Sequence, residues 1–389
     1  MKEGWTYKKL GEVCEVISGQ SPDGKFYNKY GHGIPFYQGK KEFTSKYIGE
    51  PVVWTTEITK LVKKNDLLMS VRAPVGDVNF AVQTSCIGRG LAAIRPNCKI
   101  DNEYLFYYLN AKKDNIKGKE GVGFSSINNK EIKEIVLCFP VSLAEQQSIV
   151  SRLDSAFAKI DAVKANAEKQ LNDAKALFQK ELSKAMTPKD GWEDKKLGGV
   201  CDIFGRIGFR GYTTKDLVDS PDKGAISLSP SNIQDGQMDY SKCTYISWYK
   251  YEESPEIKIN NGDILLVKTG SSYGKSALVE NLPHEATINP QSVVLKNCKI
   301  DIKYFAYFLK TKTVLKQFDD FVSGTAIPTF SQAKLGSVLI MYPSSSEQQA
   351  IVSHLDTLSE KLKTVEEKQK AIVAECDAMK LALLREVFE

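Results

Sequence analysis

The chain has 389 residues, a formal net charge of +5 and a hydrophobic fraction of 42%. This composition is typical of a folded globular protein and excludes disordered and collagen-like chains. The length exceeds what one hydrophobic core ordinarily holds, so we expect two domains. The small positive charge permits a nucleic-acid partner without requiring one. No run reaches the roughly 18 apolar residues of a membrane-spanning helix, and the first residues contain no apolar signal region, so we expect a cytoplasmic protein.

Cysteine and histidine are placed too sparsely for most metal and redox sites. The eight cysteines include no Cys-x-x-Cys spacing and have no histidine close in sequence, so we expect buried free thiols in a reducing compartment. The three histidines, His32, His284 and His354, are scattered singly along the chain. This leaves little material for a catalytic triad or a histidine metal site.

In chain order, the first half predicts a mixed α/β domain followed by a long helix. A turn-rich stretch at 18–25 precedes predicted strands at 34–38, 52–55, 66–71 and 91–94, a helix at 101–109, a strand at 132–139 and a long helix at 145–186. The second half repeats this order, with predicted strands at 225–228, 263–267, 292–295 and 337–341, a helix at 304–309 and a second long helix at the end. We therefore predict a first domain at 1–141, a helix at 142–187, a second domain at 188–343 and a helix at 344–389.

The two halves are a tandem duplication. The segment 145–154 recurs at 347–356 with eight of ten residues identical, and Asn97-Cys98-Lys99-Ile100-Asp101 recurs at 297–301. Both halves also open on Gly-Trp, at Gly4 and Gly191. The ends of the repeats match while the loops between them differ, as is expected when one fold carries loops for two different ligands.

The long helices carry apolar residues at three- and four-residue steps, which is typical of a coiled coil. Neither contains proline or glycine, and Pro188 follows the first helix and ends it. An isolated helix would leave this stripe exposed, so we predict that the two helices pack as an antiparallel pair with pseudo-two-fold symmetry. The alternative is that each helix lies on its own domain. The predicted fold class is α+β.

Three sequence patterns are similar to enzyme motifs, but each lacks a feature that the motif requires or lies in an unsuitable sequence context. Residues 270–276 have one residue too few for a phosphate-binding G-x-x-x-x-G-K-[ST] loop and precede a strand-like run, so we expect a hairpin turn there. Asp222 with Glu256 and Lys258 could form a nuclease metal site, but the first lies in an ordinary turn and the others in a charged, exposed segment. Residues 289–292 are similar to the N-P-P-[YF] loop of amino-methyltransferases but lack its aromatic residue, and no glycine-rich cofactor loop precedes them.

Loops that mix basic, aromatic and amide side chains are the remaining candidates for function, because DNA recognition combines phosphate neutralisation with hydrogen bonds to base edges. The alternative is an ordinary solvated loop surface. The candidates in the first half are Lys25, Tyr27, Tyr37, Gln38, Lys40 and Lys41. Those in the second half are Arg206, Arg210, Tyr212, Ser229, Ser231, Asn232, Lys268, Thr269, Ser271, Ser272 and Tyr273.

The whole chain resembles the specificity subunits of type I restriction–modification systems. The resemblance rests on the Gly-Trp-x-x-x-x-Leu-Gly openings, the Glu-Gln-Gln helix starts, and motifs at 34–39, 66–77, 86–91, 228–233, 262–265, 269–270 and 324–328. Arg72 and Arg89 lie in these motifs and join the predicted DNA-binding residues.

The resemblance implies two target-recognition domains that each read half of a split double-stranded DNA sequence, and long helices that set the spacer and dock two methyltransferase subunits. It also implies restriction and translocase subunits as partners and no catalysis on this chain. No cofactor is then expected here, since S-adenosylmethionine, ATP and Mg²⁺ belong to the partner subunits. The alternatives are a self-sufficient DNA methyltransferase or nuclease, and a coiled-coil adaptor with no role on DNA.

Overall fold

The computed structural model describes residues 4–116, 119–120, 125–206, 208–322 and 327–389. The chain divides into two compact units: unit 1 comprises Met1–Lys169 and Gln369–Glu389, and unit 2 comprises Gln170–Lys368. Residues 324–326 of the sequence motif at 324–328 lie outside the described residues.

The described residues of unit 1 form short strands and three short helices, with parts of two long helices. The short helices are α1 (Leu10–Val13), α2 (Asn102–Ala111) and α3 (Asn129–Lys133). The strands are β1 (Trp5–Lys9), β2 (Cys14–Ser18), β3 (Tyr27–Asn28), β4 (Ile34–Tyr37), β5 (Trp54–Thr55), β6 (Leu61–Val62), β7 (Leu67–Ser70), β8 (Val78–Phe80), β9 (Ser85–Ile87), β10 (Leu91–Pro96), β11 (Lys119–Glu120), β12 (Ser125–Ser126) and β13 (Val136–Pro140).

Two sheets form most of unit 1. One is antiparallel, in the order β2-β10-β7-β8, and the other is mixed, in the order β3-β5-β4-β9-β6, with β4 and β9 parallel. Strands β1 and β13 form a separate antiparallel pair, as do β11 and β12. In β7, Leu67 and Met69 pack in the core beneath α2, whereas Leu68 packs in a second core with Ile87 and Leu91. Because both faces of β7 are covered, its first three residues are all apolar.

Unit 2 repeats the two large sheets of unit 1. Its strands are β14 (Glu193–Lys196), β15 (Asp202–Gly205), β16 (Leu217–Val218), β17 (Gly224–Leu228), β18 (Ile233–Gln234), β19 (Gln237–Met238), β20 (Tyr245–Ser247), β21 (Lys258–Ile259), β22 (Ile264–Val267), β23 (Ser276–Leu278), β24 (Ala286–Ile288), β25 (Ser292–Lys296) and β26 (Leu339–Tyr342). The sheet orders are β15-β25-β22-β23 and β16-β20-β17-β24-β21, with β17 and β24 parallel. Strands β14 and β26 pair, as do β18 and β19. Its short helices are α5 (Leu197–Val200), α6 (Trp248–Glu252), α7 (Ile302–Phe308), α8 (Lys312–Phe321) and α9 (Gln332–Gly336).

The predicted long helices are confirmed as α4 (Leu143–Ala185) and α10 (Ser345–Phe388). In unit 1, Lys380 binds Asp161, and Lys164 Nζ lies 2.7 Å from Asp377 Oδ1. Three residues forward along α4 correspond to three residues back along α10, so the helices are antiparallel there.

Unit 2 has the same arrangement. Its ion pair joins Lys175 Nζ to Glu366 Oε1 at 3.0 Å, and Leu182 near the end of α4 shares a core with Leu355 near the start of α10. The first turns of α4 also pack on their own domain, through Val150 and Leu153. Both arrangements that the sequence left open therefore occur.

The structure corrects the sequence interpretation of one predicted strand and of the cysteines. The strand predicted at 132–139 begins only at Val136, because residues 129–133 form α3, which Asn128 and Glu131 start with a capping box. The cysteines are free thiols as expected, but they are not all buried, since Cys98 is exposed. The predicted hairpin turn at 270–276 does connect the antiparallel strands β22 and β23. Among the described residues, no helix is long and apolar enough to cross a membrane.

Candidate nucleic-acid interface

Three loops of unit 1 meet where β4 ends. The N–H of Gly88 donates to the Tyr37 carbonyl at 2.8 Å, and the N–H of Gly90 donates to the Gln38 carbonyl at 3.1 Å. The Gly90 carbonyl in turn accepts from the N–H of Val71 at 3.0 Å. These bonds join residues 38–41, 72–76 and 88–90, which we call the first loop cluster.

Unit 2 joins the corresponding loops in the same way. The N–H of Asn289 donates to the Leu228 carbonyl at 2.9 Å, and the Gln291 carbonyl accepts from the N–H groups of Lys268 at 2.8 Å and Thr269 at 3.2 Å. Residues 229–232, 268–273 and 289–291 form the second loop cluster. The two clusters therefore share a backbone arrangement and differ in their side chains.

Glycine is required at the tightest point of the first cluster. A Cβ atom on Gly90 would lie 2.5 Å from the Gln38 carbonyl oxygen, and one on Gly19 would lie 2.1 Å from the Gly88 oxygen. Both distances are shorter than any non-bonded contact, so these backbones approach closely only without a side chain.

The first cluster presents basic and amide side chains to solvent. Gln38, Lys41, Arg72 and Arg89 are exposed. Together they offer three cations for phosphate oxygens and an amide that can bond a base edge, which is the combination predicted from the sequence.

Lys40 is less free than its neighbour, because it forms an ion pair with Asp77. Asp77 also binds Lys113. Burial by itself would raise the pKa of Asp77, but hydrogen bonds from Lys113 and Lys40 outweigh burial and lower that pKa. The carboxylate is therefore charged at neutral pH and anchors Lys40 at the edge of the cluster.

The other predicted residues of unit 1 lie beside the cluster or beneath it. Tyr27 is half-buried, stacks on Phe36 with ring centroids 4.9 Å apart, and donates its hydroxyl to the Pro22 carbonyl at 3.0 Å. Lys25 is exposed. Tyr37 is only 1% exposed and donates its hydroxyl to the Gly49 carbonyl at 3.0 Å. It is a core residue, so we remove it from the DNA-contacting set.

The second cluster is richer in hydroxyl groups. The Ser229 and Ser231 hydroxyls lie 2.7 Å apart, and those of Thr269 and Thr329 lie 2.8 Å apart. Ser271 is exposed, whereas Ser272 and Lys268 are half-buried. Tyr273 is half-buried and donates its hydroxyl to Asp319 at 2.7 Å. This surface offers hydrogen bonds more than positive charge.

Arg206 and Asn232 lie beneath the second cluster and support its loops. The sequence predicted that both would contact DNA, and their burial corrects this. Arg206 is 6% exposed and donates to the Ile288 carbonyl at 3.2 Å and the Thr287 hydroxyl at 3.1 Å. Burial lowers the pKa of its guanidinium. Asn232 is 2% exposed and donates to the Asp239 and Lys242 carbonyls, both at 3.0 Å. Both side chains brace loop backbone and are not free to contact DNA.

Arg210 and Tyr212 lie next to this support. The Arg210 guanidinium is 3.4 Å from Glu256 Oε1. The Tyr212 ring stacks on the Arg206 guanidinium at 5.3 Å, and its hydroxyl lies 2.8 Å from that of Ser227. Both residues are half-buried, so they hold the loop and leave part of their surface open.

The sequence interpretation missed Gln291 as a member of the second cluster. Gln291 is exposed, and its backbone joins two of the three loops. The available signal was its place in the repeat: the turn at 289–291 between β24 and β25 matches the turn at 88–90 between β9 and β10.

In the part of the chain that the structure describes, no group of three or more His, Cys, Asp or Glu side chains is arranged to hold a metal ion. Glu256 of the suspected nuclease pattern pairs with Arg210, and Lys258 lies 2.5 Å from Glu252.

Known proteins share this architecture. The type I restriction modification DNA specificity domain matches residues 2–173 and again residues 189–374. The MjaIX type I restriction enzyme specificity subunit of Methanocaldococcus jannaschii is 24% identical over 403 residues, which cover 92% of this chain and 87% of that protein. A second protein of that organism, named as a candidate type I restriction enzyme specificity subunit, MjaX, is 42% identical over 177 residues. That match spans 44% of this chain and 41% of the relative.

A solved structure supports the fold. It comes from work on the complex assembly and conformational transition of the type I restriction–modification system, and it superimposes with a TM-score of 0.73 over 100% of this chain and 98% of that one, at 17% identity. Since the domain matches cover both repeats and most of the sequence, the chain belongs to the family of type I restriction–modification DNA specificity domains, and it contains that domain twice.

Proposed function

We propose that this chain is the sequence-specific DNA-recognition subunit of a type I restriction–modification complex. Each specificity domain reads one half of a bipartite double-stranded DNA target through its loop cluster. The single observation that carries this proposal is the pair of loop clusters, which share two corresponding backbone hydrogen bonds but present different exposed side chains. A shared backbone with divergent side chains suits two unlike half-sites, because base edges are distinguished by hydrogen-bonding groups.

The long helices have a separate role in this proposal. They set the spacer between the half-sites and dock two methyltransferase subunits, and restriction and translocase subunits complete the complex. The functional segments are the recognition domains at 1–141 and 188–343 and the helices at 142–187 and 344–389. Val163 and Leu177 are exposed apolar side chains on α4.

The chain itself performs no catalysis in this proposal. The modification subunits bind S-adenosylmethionine and flip the target base, and the ATP- and Mg²⁺-dependent steps belong to the restriction subunits. The recognition chain contributes orientation, since it holds the duplex where a partner's active site can reach one base.

The test is methylome sequencing of a host that lacks adenine methylation and expresses this chain with its modification subunits. We expect methylation at one bipartite sequence with a nonspecific spacer. Exchange of residues 1–141 for the equivalent domain of a relative should change one half-site only. If both half-sites change, the modular assignment is wrong.

A control experiment distinguishes the proposed recognition subunit from a self-sufficient methyltransferase. The purified chain alone, incubated with DNA and labelled S-adenosylmethionine, should transfer no label. Transfer by the isolated chain would identify a self-sufficient methyltransferase. If the complex methylates DNA with no sequence preference, a coiled-coil adaptor becomes the better description.

A further inference from the structure

The first loop cluster continues directly into a hairpin that reaches a long helix. After residues 38–41 the chain turns back on itself, and Phe43 and Ile48 pair across the hairpin in an antiparallel bridge. Lys46 lies at its tip. The Lys46 Nζ is 2.7 Å from Glu103 Oε2 on α2 and 3.5 Å from Asp154 Oδ1 on α4.

The Lys46 ammonium is surrounded by an aromatic ring and two carboxylates. Its Nζ is 5.5 Å from the centre of the Tyr107 ring, and the Tyr107 hydroxyl donates to the same oxygen of Asp154. Burial by itself would lower the pKa of Lys46, but the hydrogen bond to Glu103 and the negative charges of Glu103 and Asp154 together outweigh burial and raise that pKa. Lys46 is therefore charged at neutral pH and attracted to both carboxylates.

The hairpin is fixed to the sheet as well as to the helices. The Lys46 carbonyl accepts from the N–H of Phe80 at 2.8 Å, and the Phe80 carbonyl accepts from the N–H of Ile48 at 2.9 Å. Asn79, which is 2% exposed, bonds both the N–H and the carbonyl of Thr44. Residues 40–42 form a helical turn in which the Lys40 carbonyl accepts from the N–H of Phe43 at 3.0 Å, and the Glu42 carbonyl accepts from the N–H of Gly49 at 2.7 Å. Because these bonds join the hairpin to the turn, a displacement of Lys46 is passed to residues 38–41.

Unit 2 makes the same connection with different residues. The hairpin β18–β19 follows Asn232 directly, and its turn is Asp235-Gly236. Lys175 Nζ on α4 is 3.6 Å from Asp235 Oδ1, and Lys310 Nζ donates to the Gly236 carbonyl at 2.8 Å. The cation is on the hairpin in unit 1 and on the helix in unit 2. In both units an ion pair therefore joins the hairpin after the loop cluster to α4, although the residues differ.

We propose that Lys46 and Asp235 are positioning residues that hold the first and second loop clusters in place against the long helix of their own unit. By limiting loop movement, each sharpens the discrimination of the half-site that its unit reads. Neither residue contacts DNA. The inference rests on the proposed function for its effect on DNA, whereas the restraint on the loops can be tested in the protein alone.

The first experiment measures backbone hydrogen exchange in the full chain. Lys46→Met keeps the apolar stem and removes the charge, so we expect amides at 38–43 and 88–90 to exchange about three- to tenfold faster, the size expected from a partly exposed ion pair. Lys46→Arg should restore protection. The matched control is Lys9→Met on β1, which removes the ion pair of Lys9 with Glu134 at 2.6 Å. Unchanged exchange in Lys46→Met would overturn the positioning role.

The second experiment measures methylation by the assembled complex on DNA with single base-pair changes in either half-site. Lys46→Met should reduce discrimination about three- to tenfold in the half-site of unit 1 only, and Asp235→Asn about two- to threefold in the other, because Asp235 is more exposed. Equal loss in both halves, or an equal loss in Lys9→Met, contradicts the inference. If the wild-type complex shows no sequence preference, the proposed function fails, and the exchange result still decides whether Lys46 restrains the loops.

Discussion

The side-chain oxygen of Gln146 accepts a hydrogen bond from the backbone N–H of Asp101 at 2.7 Å. Asp101 caps α2, since its carboxylate accepts from the N–H of Tyr104 at 3.0 Å. One buried amide therefore joins the start of α4 to the start of α2. Gln348 and Asp301 form the same bond in unit 2 at 2.9 Å. This bond explains why the Glu-Gln-Gln segment is repeated so closely.

Replacement of this amide should destabilise unit 1. Gln146 is 0% exposed and also donates to the Pro140 and Lys99 carbonyls at 2.8 and 3.2 Å. Gln146→Leu removes all three hydrogen bonds, including the buried one to the Pro140 carbonyl, so we expect a loss of about 2–4 kcal/mol in the free energy of unfolding. Denaturant unfolding of the full chain measures it. Gln147→Leu is the matched control, because Gln147 is exposed and should change stability by less than about 0.5 kcal/mol. Equal effects of the two variants would refute the structural role of Gln146.

A pair of glycine variants tests the first loop cluster. In Gly90→Ala the new methyl group would lie 2.5 Å from the Gln38 carbonyl oxygen, whereas Gly39 is extended with open space around it. We expect Gly90→Ala to weaken recognition of the first half-site at least about tenfold, the result of losing one or two contacts, and Gly39→Ala to leave it nearly unchanged. Methylation kinetics on cognate DNA measure both. Similar kinetics for the two variants would place DNA binding elsewhere on unit 1.

The exposed arginines should contribute to the salt dependence of DNA binding. Arg89→Ala removes one phosphate-neutralising charge, so we expect weaker binding and a salt slope reduced by about 1. Titration of the complex with cognate DNA at several salt concentrations gives the slope. Lys9→Ala serves as the control. Lys9 lies at the end of β1, outside the first loop cluster, and pairs with Glu134, which follows α3. A slope that falls equally in both variants would indicate a diffuse charge effect.

Lys310 should make the stability of unit 2 depend on pH. Burial lowers the pKa of Lys310 from its ordinary value of 10.5 to about 8, against the opposing charge of Glu280. Between these two pH values the unfolded chain binds the proton and the folded chain does not, so stability rises with pH across this window. Lys310→Met should remove that rise. The measurement is the free energy of unfolding of both proteins from pH 7 to 10, and parallel curves would count against a buried ammonium.

The helix pair should set the spacer of the DNA target. Insertion of four residues after Lys169 in α4 and four after Lys368 in α10 leaves the internal contacts of each unit intact, because both sites are unit boundaries. Four helical residues add about 6 Å, so we expect the nonspecific spacer to lengthen by roughly one or two base pairs while both half-sites stay the same. Insertion of the same residues after Pro188, outside the helices, is the control. Methylome sequencing measures the spacer length. An unchanged spacer would show that the helices do not set it.

Much of the architecture could be predicted from local patterns. The apolar stripe of α4 was readable because Leu153, Ile160 and Ala167 recur at helical spacing, and all three are buried. Within the repeated segment Gln146, Leu153 and Asp154 each make a contact that the second copy also makes, through Gln348, Leu355 and Asp356. The apolar periodicity and the repeated segment reflect packing that both units of this chain make.

The exposure of the loop residues was decided by the tertiary structure alone. Gln38 and Tyr37 are neighbours in sequence, yet one is exposed and the other lies in the core, bonded to Gly49 twelve residues away. Arg206 and Arg89 are the same residue type, but Arg206 is buried against Ile288, 82 residues away in sequence. The sequence by itself thus determined the duplication, the fold class and the two long amphipathic helices, because internal repetition and local periodicity encode them. Which side chains face solvent depends on contacts between distant segments, and only the folded chain brings those segments together.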